Sequence, residues 1–264
     1  MPADLAALLA DLEAETEALR EILDPLHDSD WQRATPAPGW NIGDQIAHLA
    51  YFDDAAVSAA IRPEEFAAIR AGLTDGGENP DTLAARYRDM TPAELRDWFS
   101  RSRAGLLTAF ASLEPSARVP WFGPPMSVAS SATARLMETW AHGQDIADTI
   151  GTARQPTVRL RHVAHIGVAA LPYSYAAHGL PVPGEPVRVE LTGPSGESWT
   201  WGSDGARDRI TGPALDFCLL VTRRRHRADT AMVAAGPIAD QWLSIAQSFA
   251  GPPGAGRLPG QFAR

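Results

Sequence analysis

Glu138 and His142 stand four residues apart in the run Glu138-Thr139-Trp140-Ala141-His142. On a helix that offset puts both side chains on one face, about 6 Å apart, where they can grip a single metal ion. The same pair also serves as a solvated or hydrogen-bonded helix pair, and the offset alone does not separate the two uses. His48 adds a third candidate, in Asn41-Ile42-Gly43-Asp44-Gln45-Ile46-Ala47-His48-Leu49-Ala50, beside an apolar stripe of Ile42, Ile46, Leu49 and Phe52. If its helix faces the pair, two imidazoles and one carboxylate drawn from two helices leave coordination positions open for water or substrate. That is the pattern of a catalytic metal site rather than a closed structural one. A core-edge histidine bonded to a carbonyl is the alternative.

Other residues are candidates around this set. Asp145, three residues after His142, is placed to orient an imidazole as an outer carboxylate, or to be a plain surface acid. Asp44, one turn before His48, could act in the same outer layer or as a general base. Trp40 follows the Pro38-Gly39 turn and Trp121 opens the apolar loop Trp121-Phe122-Gly123-Pro124-Pro125-Met126; each could line a substrate pocket or pack on the core. His162 and His165 have no carboxylate or cysteine accompanying them and are assigned to packing or surface. Cys218, within the apolar run Phe217–Val221, reads as a small buried hydrophobe rather than a nucleophile.

Helices must deliver these side chains. Asp4–His27 carries leucines and isoleucine at helical spacing, Pro36-Ala37-Pro38-Gly39 breaks the chain, and Asn41 caps a second helix with Asp44 in its first turn. A short helix over Pro63–Leu73 precedes a loop at Thr74–Pro80. Thr91-Pro92-Ala93-Glu94 is a cap, a first-turn proline and a capping-box acid, opening a helix through Phe110. Ser127 or Ser130 starts a helix running to about Ile150. Beyond Gly151–Pro156 the character changes: a helix over Leu160–His178, alternating strands at Pro186–Thr192 and around Trp199 and Trp201 with a turn at Pro194-Ser195-Gly196, a shorter strand at Arg207–Thr211, and helices at Pro213–Arg224 and Pro237–Phe249. The reading is a helical bundle over residues 1–153, a small α+β domain over 154–250, and a Gly- and Pro-rich tail over 251–264 expected to be poorly ordered.

Composition limits the chemistry. The chain has 264 residues and a formal net charge of −9, with pI near 5.2, which disfavours nucleic acid and anionic membranes as partners. Every one of the 23 basic residues is arginine, so no Schiff base, pyridoxal phosphate anchor or phosphate-loop lysine is available. A single cysteine excludes an internal disulfide, a CxxC pair and a four-cysteine zinc site. Met1–Leu26 is acidic and lacks the basic start of a signal peptide, and no run is long enough to span a bilayer. The protein reads as soluble and cytoplasmic, as a monomer or homodimer.

Pro38-Gly39-Trp40, Asn41…His48-Leu49-Ala50 and, about 90 residues later, Glu138-x-x-x-His142 together resemble the DinB-like fold, and more narrowly the mycothiol-dependent maleylpyruvate isomerase family of actinobacteria. The resemblance covers nearly the whole chain. It implies an up-and-down four-helix bundle followed by a small α+β domain, an α + (α+β) fold, with His48, Glu138 and His142 as metal ligands. Zinc suits the N/N/O set best, and nickel or iron is also accepted. The implied cosubstrate is mycothiol, whose thiol the metal would activate for addition to an unsaturated electrophile; rotation and elimination would complete an isomerisation, and addition alone an S-transfer. The family also uses an arginine near the end of the helix after the sheet, which falls within Arg223-Arg224-Arg225-His226-Arg227. Arg224, or else Arg223, would clamp a carboxylate, and a basic helix end is the plainer reading. A non-catalytic metal- or ligand-binding protein and a metal-dependent hydrolase are the alternatives to a thiol enzyme.

Overall fold

The computed structural model describes residues 4–75 and 80–262. The chain divides into two compact units, Met1–Arg154 and Gln155–Arg264. Among the described residues no helix is long and apolar enough to cross a membrane.

Four long helices make the first unit: α1 (Leu5–Leu23), α2 (Ile42–Ile61), α5 (Pro92–Ala111) and α6 (Val128–Ile150), with α3 (Pro63–Asp75) and α4 (Pro80–Ala85) following α2 in the chain. Their starts are set locally. The Asp4 carboxylate accepts the Ala7 N–H at 3.1 Å, while Asn41 with Asp44 and Thr91 with Glu94 form reciprocal capping boxes. Ser127 caps α6, and Gly151, at φ +73°, closes it in the left-handed conformation that glycine adopts at least cost. Helix α2 packs on α5 and α6, and α1 on α6 and α5. Leu19, Leu23, Trp31, Ile42, Ile46, Leu49, Leu95, Phe99 and Ile146 fill one core between them. Each such side chain contributes about 1.5–3 kcal/mol by leaving water.

A polar knot runs through this apolar interior. Asp53 of α2 accepts from Arg103 Nε of α5 at 2.7 Å and from Arg135 Nε of α6 at 2.8 Å. Arg103 also reaches Thr16 of α1 and, at 2.9 Å, Thr139 of α6. One residue or more from every long helix therefore shares a single buried network, which fixes how far each helix slides past its neighbours. Hydrophobic patterning gave no sign of it.

In the second unit, β3 (Val187–Thr192), β4 (Ser198–Trp201), β5 (Asp208–Pro213) and β6 (Val233–Ala235) form a sheet in the order β4-β3-β5-β6, with β3 and β5 parallel and the outer pairs antiparallel. Val187, Val189 and Leu191 point to the buried face, as the alternation requires. The helix expected over Leu160–His178 is two, α7 (Leu160–Ala169) and α8 (Leu171–Ala177). Pro172, with no N–H to give, cannot continue α7 but suits the first turn of α8. Helices α9 (Ala214–Val221) and α10 (Pro237–Ile245) are shorter than expected at their C-terminal ends. Short elements were not foreseen: α4, β6 and the two-residue ribbon of β1 (Arg118–Val119) with β2 (Met126–Ser127). The helix expected over Pro63–Leu73 runs on to Asp75, and residues 76–79 of the loop expected at Thr74–Pro80 lie outside the described residues. From Gly251 to Phe262 the tail has no helix or strand, yet Gly260 N–H donates to Asp229 at 2.9 Å and the Arg225 guanidinium lies 4.4 Å from the Phe262 ring centre.

Candidate metal centre

His48 comes from the middle of α2, and Glu138 and His142 from successive turns of α6. One carboxylate oxygen, Glu138 Oε2, lies 3.1 Å from His142 Nε2 and 3.5 Å from His48 Nε2. A ligand atom from each of the three side chains falls within 4.8 Å of the others. The two imidazole rings are 4.5 Å apart. The side chains are 10–20% exposed, so the group is mostly buried and still touches solvent. This is the meeting of the α2 histidine with the α6 pair that spacing alone could not establish.

Burial and the neighbouring His142 push His48 down to about 4, so it is neutral at physiological pH. Burial also pushes the Glu138 carboxyl up, but hydrogen bonding to His142 and His48 outweighs that and holds it well below the usual carboxylate range. The group thus pairs an anion with a neutral imidazole. Among the described residues His48 Nδ1, which is buried, has no hydrogen-bond partner. Two imidazole nitrogens and a carboxylate oxygen fit a divalent first-row metal with open coordination positions.

The surroundings are aromatic. Trp40 stacks on His142 at 5.7 Å and 20°, and is 5.3 Å from the His48 ring. It is carried there by a tight return of the chain: Gly39 at φ +82°, Thr35 N–H donating to Trp40 O at 2.7 Å, and a bridge between Ala34 and Asn41. Phe52, one turn after His48, lies 4.6 Å from its ring. Trp121 is one ring further out, 6.2 Å from Phe52 and stacked on Phe66 at 5.9 Å. Of the two tryptophans singled out as lining residues, Trp40 therefore touches the group and Trp121 borders it through Phe52.

Both acids expected in the outer layer are buried. Asp44 is buried at the α2 N-terminus, where it accepts the Asn41 N–H at 2.9 Å and three bonds from Arg88, at 2.7, 3.0 and 3.2 Å. Its carboxylate serves the cap and Arg88, and it stands outside the three-residue group. Asp145 is buried, also outside that group, with its backbone carbonyl accepting from Thr149 Oγ1 at 2.8 Å. Gln45 reaches an imidazole: its Oε1 hydrogen-bonds His142 Nδ1. Gln45 Nε2 donates to Thr35 Oγ1 at 2.9 Å, and Thr35 Oγ1 to Trp40 O at 3.0 Å. Sequence reading passed over Gln45, although its place three residues before His48 on one helix face was a usable signal.

In the second unit, Arg223 takes φ +60° at the end of α9, where Arg224 N–H bonds back to Leu219 O at 2.7 Å. The Arg223 guanidinium donates to Gly254 O at 3.3 Å and that of Arg224 to Thr222 O at 2.7 Å. His165 accepts from Trp201 Nε1 at 3.3 Å. Cys218 is fully buried, its Sγ 3.4 Å from Leu160 O, and burial pushes its thiol up, which leaves it no nucleophilic character.

Comparison with known proteins gives three results. The family model described as the mycothiol maleylpyruvate isomerase N-terminal domain matches residues 12–147, and one described as wyosine base formation matches residues 183–235. Proteins of two Mycobacterium tuberculosis strains, both described as uncharacterised, are 44% identical over 259 residues, covering 97% of this chain and the full length of each relative. Crystal structures of mycothiol-dependent maleylpyruvate isomerase and of a point mutant of it align with a TM-score of 0.59 at 18% identity, over 88% of this chain and 93% of theirs.

Proposed function

The chain belongs to the mycothiol maleylpyruvate isomerase N-terminal domain family, and on that premise we propose that it is a metal-dependent thiol enzyme acting with mycothiol on an unsaturated electrophile. The observation that carries the reading is the convergence of His48 and His142 on one Glu138 oxygen from two different helices. A divalent metal, zinc by preference, would lower the pKa of a thiol beside it so that the thiolate is the nucleophile at neutral pH. This chain's own residues do the rest. Glu138 supplies the anion that offsets the metal's charge. Trp40 and Phe52 wall two sides of the histidines, lowering the local dielectric and excluding water that would compete with the thiol. Arg223 and Arg224 are proposed as carboxylate clamps for substrate or thiol, since a guanidinium can hold a carboxylate through two parallel N–H bonds. The buried state of Cys218 leaves the nucleophile to an external thiol.

Whether elimination follows addition separates an isomerase from an S-transferase, and both use the same centre. Metal content of wild type, His48→Ala and His142→Ala, purified without chelator, tests the reading. Near-stoichiometric metal in the wild type, lost in both variants whose folds persist, is the expected result. Mycothiol conjugation to a generic electrophile, abolished by chelator, is the matching activity. A wild type that cannot be loaded with zinc, nickel or iron overturns it and leaves a non-catalytic binding protein as the better account.

A further inference from the structure

The hydrogen bonds behind His142 form a chain with a forced direction. The Trp40 carbonyl has no hydrogen and can only accept. Thr35 Oγ1, 3.0 Å away, must therefore spend its single hydrogen on it. That leaves Thr35 Oγ1 as an acceptor toward Gln45, so the group facing it at 2.9 Å is the amide NH2. The other end of the same amide, the carbonyl oxygen, is then what faces His142. An acceptor there requires an imidazole proton on Nδ1, so that a metal at the group would be held through Nε2, the nitrogen 3.1 Å from Glu138 Oε2. Gln45 is fully buried, so water does not offer a competing partner.

We infer that Gln45 is a positioning residue that selects the Nε2-ligating tautomer of His142, and that Thr35 selects the orientation of Gln45. The inference rests on the metal-centre reading for its purpose, but the Nδ1 proton is a property of the protein alone. It gives the Pro36–Gly39 turn a function: by returning the Trp40 carbonyl to Thr35, the turn writes a proton position three hydrogen bonds away. It also explains a buried glutamine in a core helix where apolar residues would pack at lower desolvation cost.

Nitrogen-15 NMR of histidine-labelled protein, recorded above the imidazole titration range and again with zinc, reads the tautomer; chelator competition reads zinc affinity. The expected wild-type signal is a protonated His142 Nδ1, slow to exchange. Gln45→Leu removes the acceptor and is expected to lose that signal and about 10- to 100-fold in zinc affinity. Gln45→Glu keeps an acceptor and is expected to keep the signal. Thr35→Val, which touches no proposed ligand, frees the amide to rotate and is expected to mix the tautomers and weaken zinc binding. In Gln45→Leu/Thr35→Val the loss should equal that of Gln45→Leu alone, because Thr35 acts only through Gln45. A wild type with no proton on Nδ1, or Gln45→Leu with unchanged Nδ1 signal and affinity, overturns the inference. A wild type with the Nδ1 proton that binds no zinc, nickel or iron upholds the tautomer selection and overturns the metal-centre reading instead. Unchanged thermal unfolding of Thr35→Val separates these effects from a loss of fold.

Discussion

Replacing Asp53 by alanine removes the anion to which Arg103 and Arg135 are both bonded, in a place where the three side chains are 0, 1 and 3% exposed. Two charge-assisted hydrogen bonds at about 1.5–3 kcal/mol each set an upper range of about 3–6 kcal/mol. Removing one partner of a buried ion pair typically costs about 3–5 kcal/mol, because the remaining charge is stranded away from water. Here two guanidinium groups are stranded, partly relieved by Thr16, Thr139 and the Leu49 carbonyl. About 4 kcal/mol is the expected loss. For a unit the size of Met1–Arg154, at about 2–4 °C per kcal/mol, the melting temperature falls by roughly 8–16 °C. The exposed pair Arg101 with Asp97, 67 and 63% exposed, is the control: Asp97→Ala should cost no more than about 0.5 kcal/mol. Urea unfolding followed by far-ultraviolet circular dichroism and tryptophan fluorescence measures both. The consequence extends to the centre, because Arg135 lies one turn before Glu138 and donates to the carbonyl of Leu49, next to His48. Asp53→Asn, which keeps the shape and removes the charge, should lower zinc affinity as well as stability. Asp53→Ala within about 1 kcal/mol of wild type would refute the idea that this knot sets the helix register.

Three further outcomes follow from other parts of the molecule. Burial raises the Cys218 thiol above its usual 9.0, so a thiol reagent should leave it untouched in the folded protein at mildly alkaline pH and modify it in concentrated guanidinium; the same shift predicts full stability from this group below pH 9.0 and a loss as pH rises beyond it, since only the unfolded chain then releases the proton. Gly167→Ala would place a Cβ 2.7 Å from Val221 Cγ2, between α7 and α9, and should cost about 1–3 kcal/mol by denaturant titration, with Val221→Ala in the same chain recovering part of it. Added zinc should raise the melting temperature in a concentration-dependent way, by about 2.7 kcal/mol of stability at a hundredfold excess over Kd, reversibly with chelator, and not in His142→Ala.

How much of this was legible in the sequence differs by the range of the interaction. Asn41 with Asp44 and Thr91-Pro92 with Glu94 are local signals, and the structure starts α2 and α5 where they say. The α+β character of the second unit was equally legible from the alternation of Val187, Val189 and Leu191. Helix ends were less so, because Pro172 inside an apolar run reads as continuation until its missing N–H is counted. The buried Asp53, Arg103 and Arg135 were invisible: each lies among residues of a solvated-looking pattern, and only the partners 50 and 82 positions away explain them.

The centre divides along the same line. Glu138 and His142 are a short-range pair that any helix would bring together, whereas His48 depends on α2 and α6 facing each other at one height, which the polar knot and the shared core decide. Asp44 looked like the outer partner because a carboxylate one turn from a histidine is the usual choice, but the α2 N-terminus and Arg88 claim it more strongly. With that acid committed, a neutral amide takes the position behind His142. A carboxylate there would pull the imidazole proton and add a second negative charge beside Glu138; an amide fixes the proton without changing the charge. The net charge of the proposed ligand group therefore rests on Glu138 alone, which would leave a divalent ion held there with excess positive charge to share with an incoming thiolate.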